Sequence, residues 1–524
     1  MYPVTAGFQE AIYAPTRRVT GKVTFNIVDI TAAGDVSSIV ANGGLTLISN
    51  TSQLIDNKRD ATWNLATLEK DRFRLDGSFS FPDDTTPANN GEVGYVGTSL
   101  CGADGVFTTP QTIEINFNST HRSAGTSITF DPFNNEYAVD FNISAYNASG
   151  VLISSVDKVG NTAPLVPLHG ELLDYKKIIV TITKWNVGNR RVRVLEIDFG
   201  IVEVYTDDSL VSFDLIEEMD MTSGQLPSPE FRFTVDNSDR AFNILNPTGF
   251  YKYLQQRQQI DAELGVTVEG GLIEYVPVGR YFLVDWTSDA GALTASFTAR
   301  TTLDLMANYE YEQLTPSDKT LFALASQLFA TCGITNYSLD SSLNGVSTNS
   351  MAKKTDCKSV LQMVAIAGRC NVFITRGGTI TLKRLIDFTL ADRVDFDNAY
   401  DEPEFVQESI VKQVDVSYWT DLDTSAVSSV SAAGVDSGDT LKLDQNTLIN
   451  TAAGATAVAD WILAQTQFRA KSSINWRGNP AHELGDFIAI ENSYGADLQA
   501  RITKTSITYQ GYLTAQTEAK GAVS

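Results

Sequence analysis

Histidine is nearly missing from this chain of 524 residues, which has three: His121, His169 and His482, each in a different stretch. The run HELGD holds His482 and Glu483 but no second histidine four residues on, so the helix of a zinc protease is not formed. Cysteine is scarce too. Cys101, Cys332, Cys357 and Cys370 lie far apart with no Cys-x-x-Cys pair, which predicts small buried thiols in a protein assembled in a reducing cytosol rather than disulfides. Basic residues number 39 against 63 acidic ones, a formal net charge of −24, which argues against a nucleic-acid binder that works by neutralising phosphates and against sequence-specific binding. No hydrophobic run reaches the length needed to cross a bilayer, and the opening MYPVTAGFQEAIYAP has no basic region followed by an apolar core, so neither membrane segment nor signal peptide is expected.

Gly-x-Ser-x-Gly elbows, Gly-Lys-Ser/Thr phosphate loops and dinucleotide fingerprints are also absent. Carboxylate pairs such as Glu217 and Glu218 are too common in an acidic chain to mark a glycosidase, and read as solvated acids. The cluster Asp236, Asn237, Ser238 and Asp239 lacks the glycine and terminal glutamate of a calcium loop and reads as a solvated turn. Asn-x-Ser/Thr triplets at Asn118 and Asn142 carry no weight without a secretory signal. No catalytic, cofactor-binding or metal-ligating residue is therefore assigned, and no enzyme is expected.

What is present is β pattern. A hydrophobic fraction of 43% supplies packed cores, and the length fits about three or four domains. Gly21 to Ile30 alternates as a strand, and a Gly-rich hairpin is expected at Asn42 to Ser49. From Ala61 to about Val204 short strands follow one another: Ala66 to Phe81, Thr112 to Asn118, Ser127 to Phe133, Lys176 to Trp185, and RRVRVLEIDFG. In the last, Val192, Val194, Glu196 and Asp198 alternate with Arg193, Leu195, Ile197 and Phe199, which predicts one half-buried face. The best account of this stretch is a β-sandwich. Strands resume at Leu210 to Met219 and Pro229 to Leu245, and VGRYFLVDWTSD with ALTASFTA makes a hairpin turning around Asp289 to Gly291.

Helical periodicity enters later. Leu321, Leu324, Ala325 and Leu328 recur on one face of a helix starting near Pro316 and capped by Ser317 or Asp318. A second helix, Asp356 to Ala367, is stopped by Gly368 and leads into a hairpin, NVFITRGGTITLKRL, with Gly377 and Gly378 in a primed turn. A strand from Phe405 to Tyr418 precedes the low-complexity TSAVSSVSAAGVDSGDT, which is expected to be a long exposed loop. A helix from Thr456 to about Ala470, with Val458, Trp461, Ile462, Gln465 and Phe468 on one side, is expected to pack onto the barrel. Asn475 to Ile490 reads as strand, turn and strand, with turn chemistry at Arg477 to Pro480, an apolar run Phe487 to Ile490, and partner strands at Arg501 to Tyr509.

Two resemblances lie in these words. WRGNP, ELGD and YQGYL near the C-terminus, SPEFRFTVDNSDRAFN, GRYFLVDW and CNVFITRGGTITLKR resemble hub proteins from the tails of bacteriophages and related contractile injection particles. LEKDRFRLDG, YNASGVL and KKIIVTITKW with NRRVRVLEIDFG resemble the galactose-binding-like, discoidin-type jelly roll. The fold implied is mainly β with α+β parts: hub-type β-barrel domains, a helix-hairpin α/β subdomain and an inserted jelly-roll β-sandwich. Its expected divisions are residues 1–60, the start of the first hub β domain; 61–204, the inserted jelly roll; 205–308, the rest of that hub domain; 309–395, the α/β subdomain; and 396–524, a C-terminal hub β domain with one helix.

The resemblance implies a homotrimeric ring at a virion's tail tip, assembled in the host cytoplasm. Its expected partners are tail-tube or distal tail proteins, a spike or fibre and a tape-measure protein, with an acidic lumen that lets DNA pass. The alternative is a saccharide-binding adhesin or receptor-binding tail protein that touches cell-surface glycan through the jelly roll. There Trp185, Arg190 and Arg191 are the candidate sugar contacts, since an aromatic face with charged donors suits a sugar; they are also simple packing and turn residues of a hairpin.

Overall fold

The computed structural model describes the chain apart from residues 60–64, 80, 82–91, 244, 247, 248, 289–292, 496, 523 and 524. The expected turn at Asp289 to Gly291 lies outside the described residues. The protein is mostly β, as its alternating patterns require, and it divides into two compact units. One comprises residues 1–23, 205–240 and 259–524; the other comprises 24–204 and 241–258.

In the first unit one sheet runs through most of the β elements. Its spatial order passes from Gln259–Thr267 to Ile273–Thr287, Thr294–Arg300, Glu230–Asp236, Leu210–Glu218, Leu498–Tyr509, Leu513–Gly521, Ala470–Trp476 and Glu404–Gln407. The segments read from sequence as 205–308 and 396–524 thus share one sheet, joined where Leu210–Glu218 pairs antiparallel with Leu498–Tyr509. Aromatic side chains line the buried face at this seam: Phe213 lies 5.4 Å from Phe231 and 5.5 Å from Tyr509, ring centre to ring centre. Phe487–Ile490, buried at every position, pairs with Leu498–Tyr509 on one side and in parallel with Leu390–Val394 on the other. Ala470–Trp476 and Phe487–Ile490 are therefore not partners of each other, and what separates them is a built loop rather than a hairpin turn.

The α/β piece matches its pattern with shifted ends. The first helix is Leu321–Thr331, capped by Thr320, whose side chain accepts from Ala323 N, so neither Ser317 nor Asp318 is the cap. The second is Cys357–Gly368, capped by Asp356. Gly368 does not stop it by left-handed geometry, since that conformation falls on Arg369 at φ 58°. A Cβ at 368 would stand 2.2 Å from Leu343 Cδ2, so an alanine there requires that buried leucine to shift. The hairpin Asn371–Ile374 with Ile380–Lys383 turns through Thr375 to Gly378 with only Gly378 left-handed, a type I turn closed by a glycine bulge rather than a primed turn.

The low-complexity stretch is corrected from loop to sheet. Ser425–Ser431 and Asp439–Leu443 flank Val411–Trp419 on either side, the first antiparallel and the second parallel. It has little buried face because Val411–Trp419 and the helix Ala452–Gln465, capped by Thr451, supply the core, and Val430 packs against that core from the edge. This helix shares its core with Cys357–Gly368 rather than lying on the long sheet.

The second unit is built on a sheet with order Val36–Ala41, Val106–Thr129, Leu165–Trp185, Ala138–Asn147 and Leu152–Lys158, with Glu196–Asp198 added beside Val106–Thr129. Residues 42–49 are turns and coil rather than a hairpin, and 66–79 form no strand. Residues 192–200 are buried on both faces, not one. Burial is tolerated because Glu69, Asp131 and Glu136 balance Arg72, Arg190 and Arg193: Arg72 lies 3.1 Å from Asp131 and 3.0 Å from Glu136, Arg190 is 2.9 Å from Glu136, and Arg193 pairs with Glu69. All four cysteines are free, and Cys332 is the one that is not fully buried. Among the described residues no helix is long and apolar enough to cross a membrane.

Gly368→Ala is expected to cost about 1–3 kcal/mol by crowding Leu343. Urea unfolding checks this as a lower midpoint with an unchanged slope.

Candidate functional site

The stretch from Trp476 to Asp486 is where distant parts of the first unit are fastened together. The indole of Trp476 is buried, donates from Nε1 to Thr517 Oγ1 at 3.0 Å, and lies 5.4 Å from the His482 ring. Gly478, at φ 81°, takes the left-handed conformation that lets the chain reverse after Arg477. His482 Nε2 meets Asp392 Oδ2 at 2.8 Å, and the same oxygen accepts from Tyr13 Oη at 2.5 Å and Asn479 Nδ2 at 3.2 Å. Tyr13 ends a helix, Ala6–Tyr13, that buries Phe8 and Ile12 and that the sequence reading did not mark.

Arg376 is the second fastening. Presented by the tight turn after Ile374, it is 3% exposed. Its Nε donates to the carbonyls of Pro480 and His482, both at 3.0 Å, Nη2 to His482 O at 2.8 Å, and Nη1 to Val278 O at 3.3 Å and Glu217 Oε2 at 2.5 Å. Its backbone N–H donates to Glu483 Oε1 at 2.8 Å. Glu217 is thus not the solvated acid expected from its surroundings in sequence. It continues the buried face of its strand after Phe213 and Leu215, while Glu218 is exposed. Burial pushes the Glu217 carboxyl up from its ordinary value even against Arg376, and the Arg376 guanidinium, which burial alone would weaken as a base, is held charged by Glu217. The register, an acid at the third inward position of an apolar alternation, is the signal that sequence alone offers for this pair.

Nothing in this arrangement presents a nucleophile beside a base; it is a device for holding backbone carbonyls in place. Among the described residues no three histidines, cysteines or acids are gathered as metal ligands would be. In the second unit the three candidate sugar residues do not form an exposed set. Trp185 is 1% exposed and lies edge-on to Phe130 at 5.6 Å. Arg190 is buried on Glu136, and Arg191 bonds to the carbonyls of Gly97 and Thr98. Trp185 and Arg191 also belong to different sheets, so no hairpin joins their strands.

Arg376→Met, which strands the Glu217 carboxyl in the interior, is expected to cost about 3–5 kcal/mol in equilibrium unfolding. The Asp392 carboxyl is held below its ordinary value: burial opposes ionisation, but the bond and charge of His482 and the bond from Tyr13 outweigh it. Its contribution is therefore fully present above the unfolded carboxylate value, about 3.9, and is lost as pH falls through the lower folded value. Asp392→Asn is expected to flatten this acid limb in melting temperature measured against pH.

No protein-family model matches the chain, and no curated protein matches it. Solved structures do. A tail protein from Neisseria meningitidis is similar at 11% identity and a TM-score of 0.42, over 61% of this chain and 93% of that one. A prophage MuSo2 43 kDa tail protein from Shewanella oneidensis is similar at 12% identity and a TM-score of 0.40, over 60% and 95%. A chitosan-binding module from a Paenibacillus chitosanase/glucanase is similar at 14% identity and a TM-score of 0.20, over 33% and 98%. The structural neighbours of this chain include phage tail proteins.

Proposed function

We propose that this chain is the structural hub of a phage tail tip or baseplate: a homotrimeric ring that joins the tail tube to a central spike or fibre and lets DNA pass. Its role in this reading is mechanical rather than enzymatic. The hub-like wording of residues 228–243, 279–286, 370–384 and 476–490 supports it, since three of those stretches and residues 228–240 of the other fall in one unit, and the last stretch is the point where its parts are fastened. The observation that carries the reading is the end of the long sheet. Glu404–Gln407 has one strand neighbour among the described residues, Ala470–Trp476, and all four of its residues are exposed, including Phe405 at 43% and Val406 at 51%. An open edge with apolar side chains is a surface onto which another copy can add a strand, and a head-to-tail contact repeated three times closes a ring.

In this reading the tape-measure protein and the distal tail proteins meet the ring along its axis, and the formal charge of −24 keeps passing DNA from adhering. In this reading the jelly roll expected over 61–204 faces neighbouring proteins or the cell surface. The site of action is the virion's tail tip.

Light scattering coupled to gel filtration is expected to give three chain masses for the wild type. Val406→Lys is expected to shift that particle to a single chain mass while leaving the melting temperature of the chain within about 1–2 °C, because an exposed edge position contributes little to the fold. A wild type that stays monomeric at every concentration overturns the trimer.

A further inference from the structure

Beside the fastening stretch, within the same unit, Arg17, Arg18 and Arg477 line a groove of about 430 Å³ shared with Tyr400, Tyr512 and Asp207. Several arginines of this unit are matched by acids: Arg280 lies 2.7 Å from Asp261, Arg300 is 3.0 Å from Glu230, and Arg393 is 2.7 Å from Asp497. In the groove no such match is made. Arg17 spends its guanidinium on neutral carbonyls, those of Ile12 at 2.7 Å, Gly478 at 2.9 Å, Arg477, and Leu513 at 3.4 Å. Arg477 donates to Ala14 O at 2.7 Å and to Asn398 Oδ1 at 3.4 Å. Arg18 is exposed.

None of the three arginines is ion-paired with a carboxylate among the described residues. Asp207, the acid on the wall, already accepts from Tyr509 Oη and from Gly21 N. Carbonyl acceptors satisfy donors in number but leave the positive charges standing. The Arg17 guanidinium holds its proton less tightly than usual, its pKa pushed down to about 10 by burial first and by Arg477 second. A chain with 63 acidic and 39 basic residues thus collects three arginines around one groove with a single lining carboxylate, Asp207, and backbone carbonyls hold Arg17 and Arg477 in place.

Preorganised guanidiniums favour planar oxyanions, which they grip with two parallel N–H donors. Tyr400 and Tyr512, 55% and 60% exposed, add aromatic surface at the rim. A nucleic acid suits the groove poorly, because only a few phosphates could be met there while the rest of the strand faced an acidic surface. We propose that this groove binds an acidic peptide segment of a partner protein, with aspartate or glutamate carboxylates received by Arg18 and Arg477 and the peptide lying against Tyr400 and Tyr512.

The proposal does not depend on the hub reading, and its test does not use the oligomeric state. Fluorescein-labelled hexaglutamate is titrated into the full chain at low salt and followed by anisotropy, in parallel with labelled hexalysine and a labelled single-stranded oligonucleotide. Saturable binding of hexaglutamate alone is expected, weakened about tenfold by Arg477→Gln and at least as much by Arg18→Glu, and reduced by added salt. Arg18→Glu alters an exposed side chain, so it remains informative should Arg477→Gln disturb the turn. Failure of hexaglutamate to saturate, binding indifferent to Arg18→Glu, or tighter binding of the oligonucleotide overturns the proposal.

Discussion

A guanidinium removed from water must find acceptors for its donors and an anion for its charge, and Arg376 finds both in parts of the chain far apart in sequence. Its acceptors come from residues 278, 480 and 482, and its counter-ion is Glu217. One side chain therefore sets the positions of a hairpin, an inner strand and the loop that follows Trp476. A hydrophobic residue of the same volume could fill the space but could not read carbonyl directions, so the ion is better understood as fixing geometry than as adding stability. The neighbouring contact of His482, Tyr13 and Asn479 with Asp392 brings the first helix and the strand Leu390–Val394 to the same loop.

The second unit uses the same device in a different form. Arg72, Arg190 and Arg193 are buried against Glu69, Asp131 and Glu136, and Asp198 is paired with Arg59. Counting charge over the whole chain gives no hint of this, since the surplus of acids is on the surface and the arginines are disproportionately drawn inward. Arginines in this protein are neutralised inside, as Arg376 is, paired outside, as Arg393 is, or set on carbonyls without an ion pair, as Arg17 and Arg477 are in the groove.

Period and turn chemistry made much of the fold legible. The alternation in Leu210–Glu218, Glu230–Asp236 and Ile273–Thr287, the helix face of Leu321, Leu324, Ala325 and Leu328, and the apolar run Phe487–Ile490 all follow from local pattern. What escaped was decided by partners. Ser425–Ser431 has no buried face of its own and becomes a strand because Val411–Trp419 offers it a ladder. Residues 66–79 look like alternating β, yet Glu69 and Arg72 are drawn into ion pairs that an extended strand would not reach. Glu217 was hidden among many acids, and Trp185 and Arg190 looked available because sequence shows residue type but not burial. The fastening loop itself was readable as important from its turn residues, whereas its contacts with Arg376 and Tyr13 span 104 and 466 positions.

Those separations impose an order on how the chain comes together. The sheet of the second unit draws its strands from residues 36–198, so it has its partners early in synthesis. Leu210–Glu218 has one partner early, Glu230–Asp236, but not the other. Asp214 bonds to Thr508, 294 residues further on, so the apolar strand of Phe213 and Leu215 stays without its second cross-strand neighbour until Leu498–Tyr509 has been made. A nascent chain with an apolar strand held open for that interval is exposed to mispairing with other copies. Pairing with Leu498–Tyr509 is the closing step, and it ends the interval in which that edge can be captured by another copy.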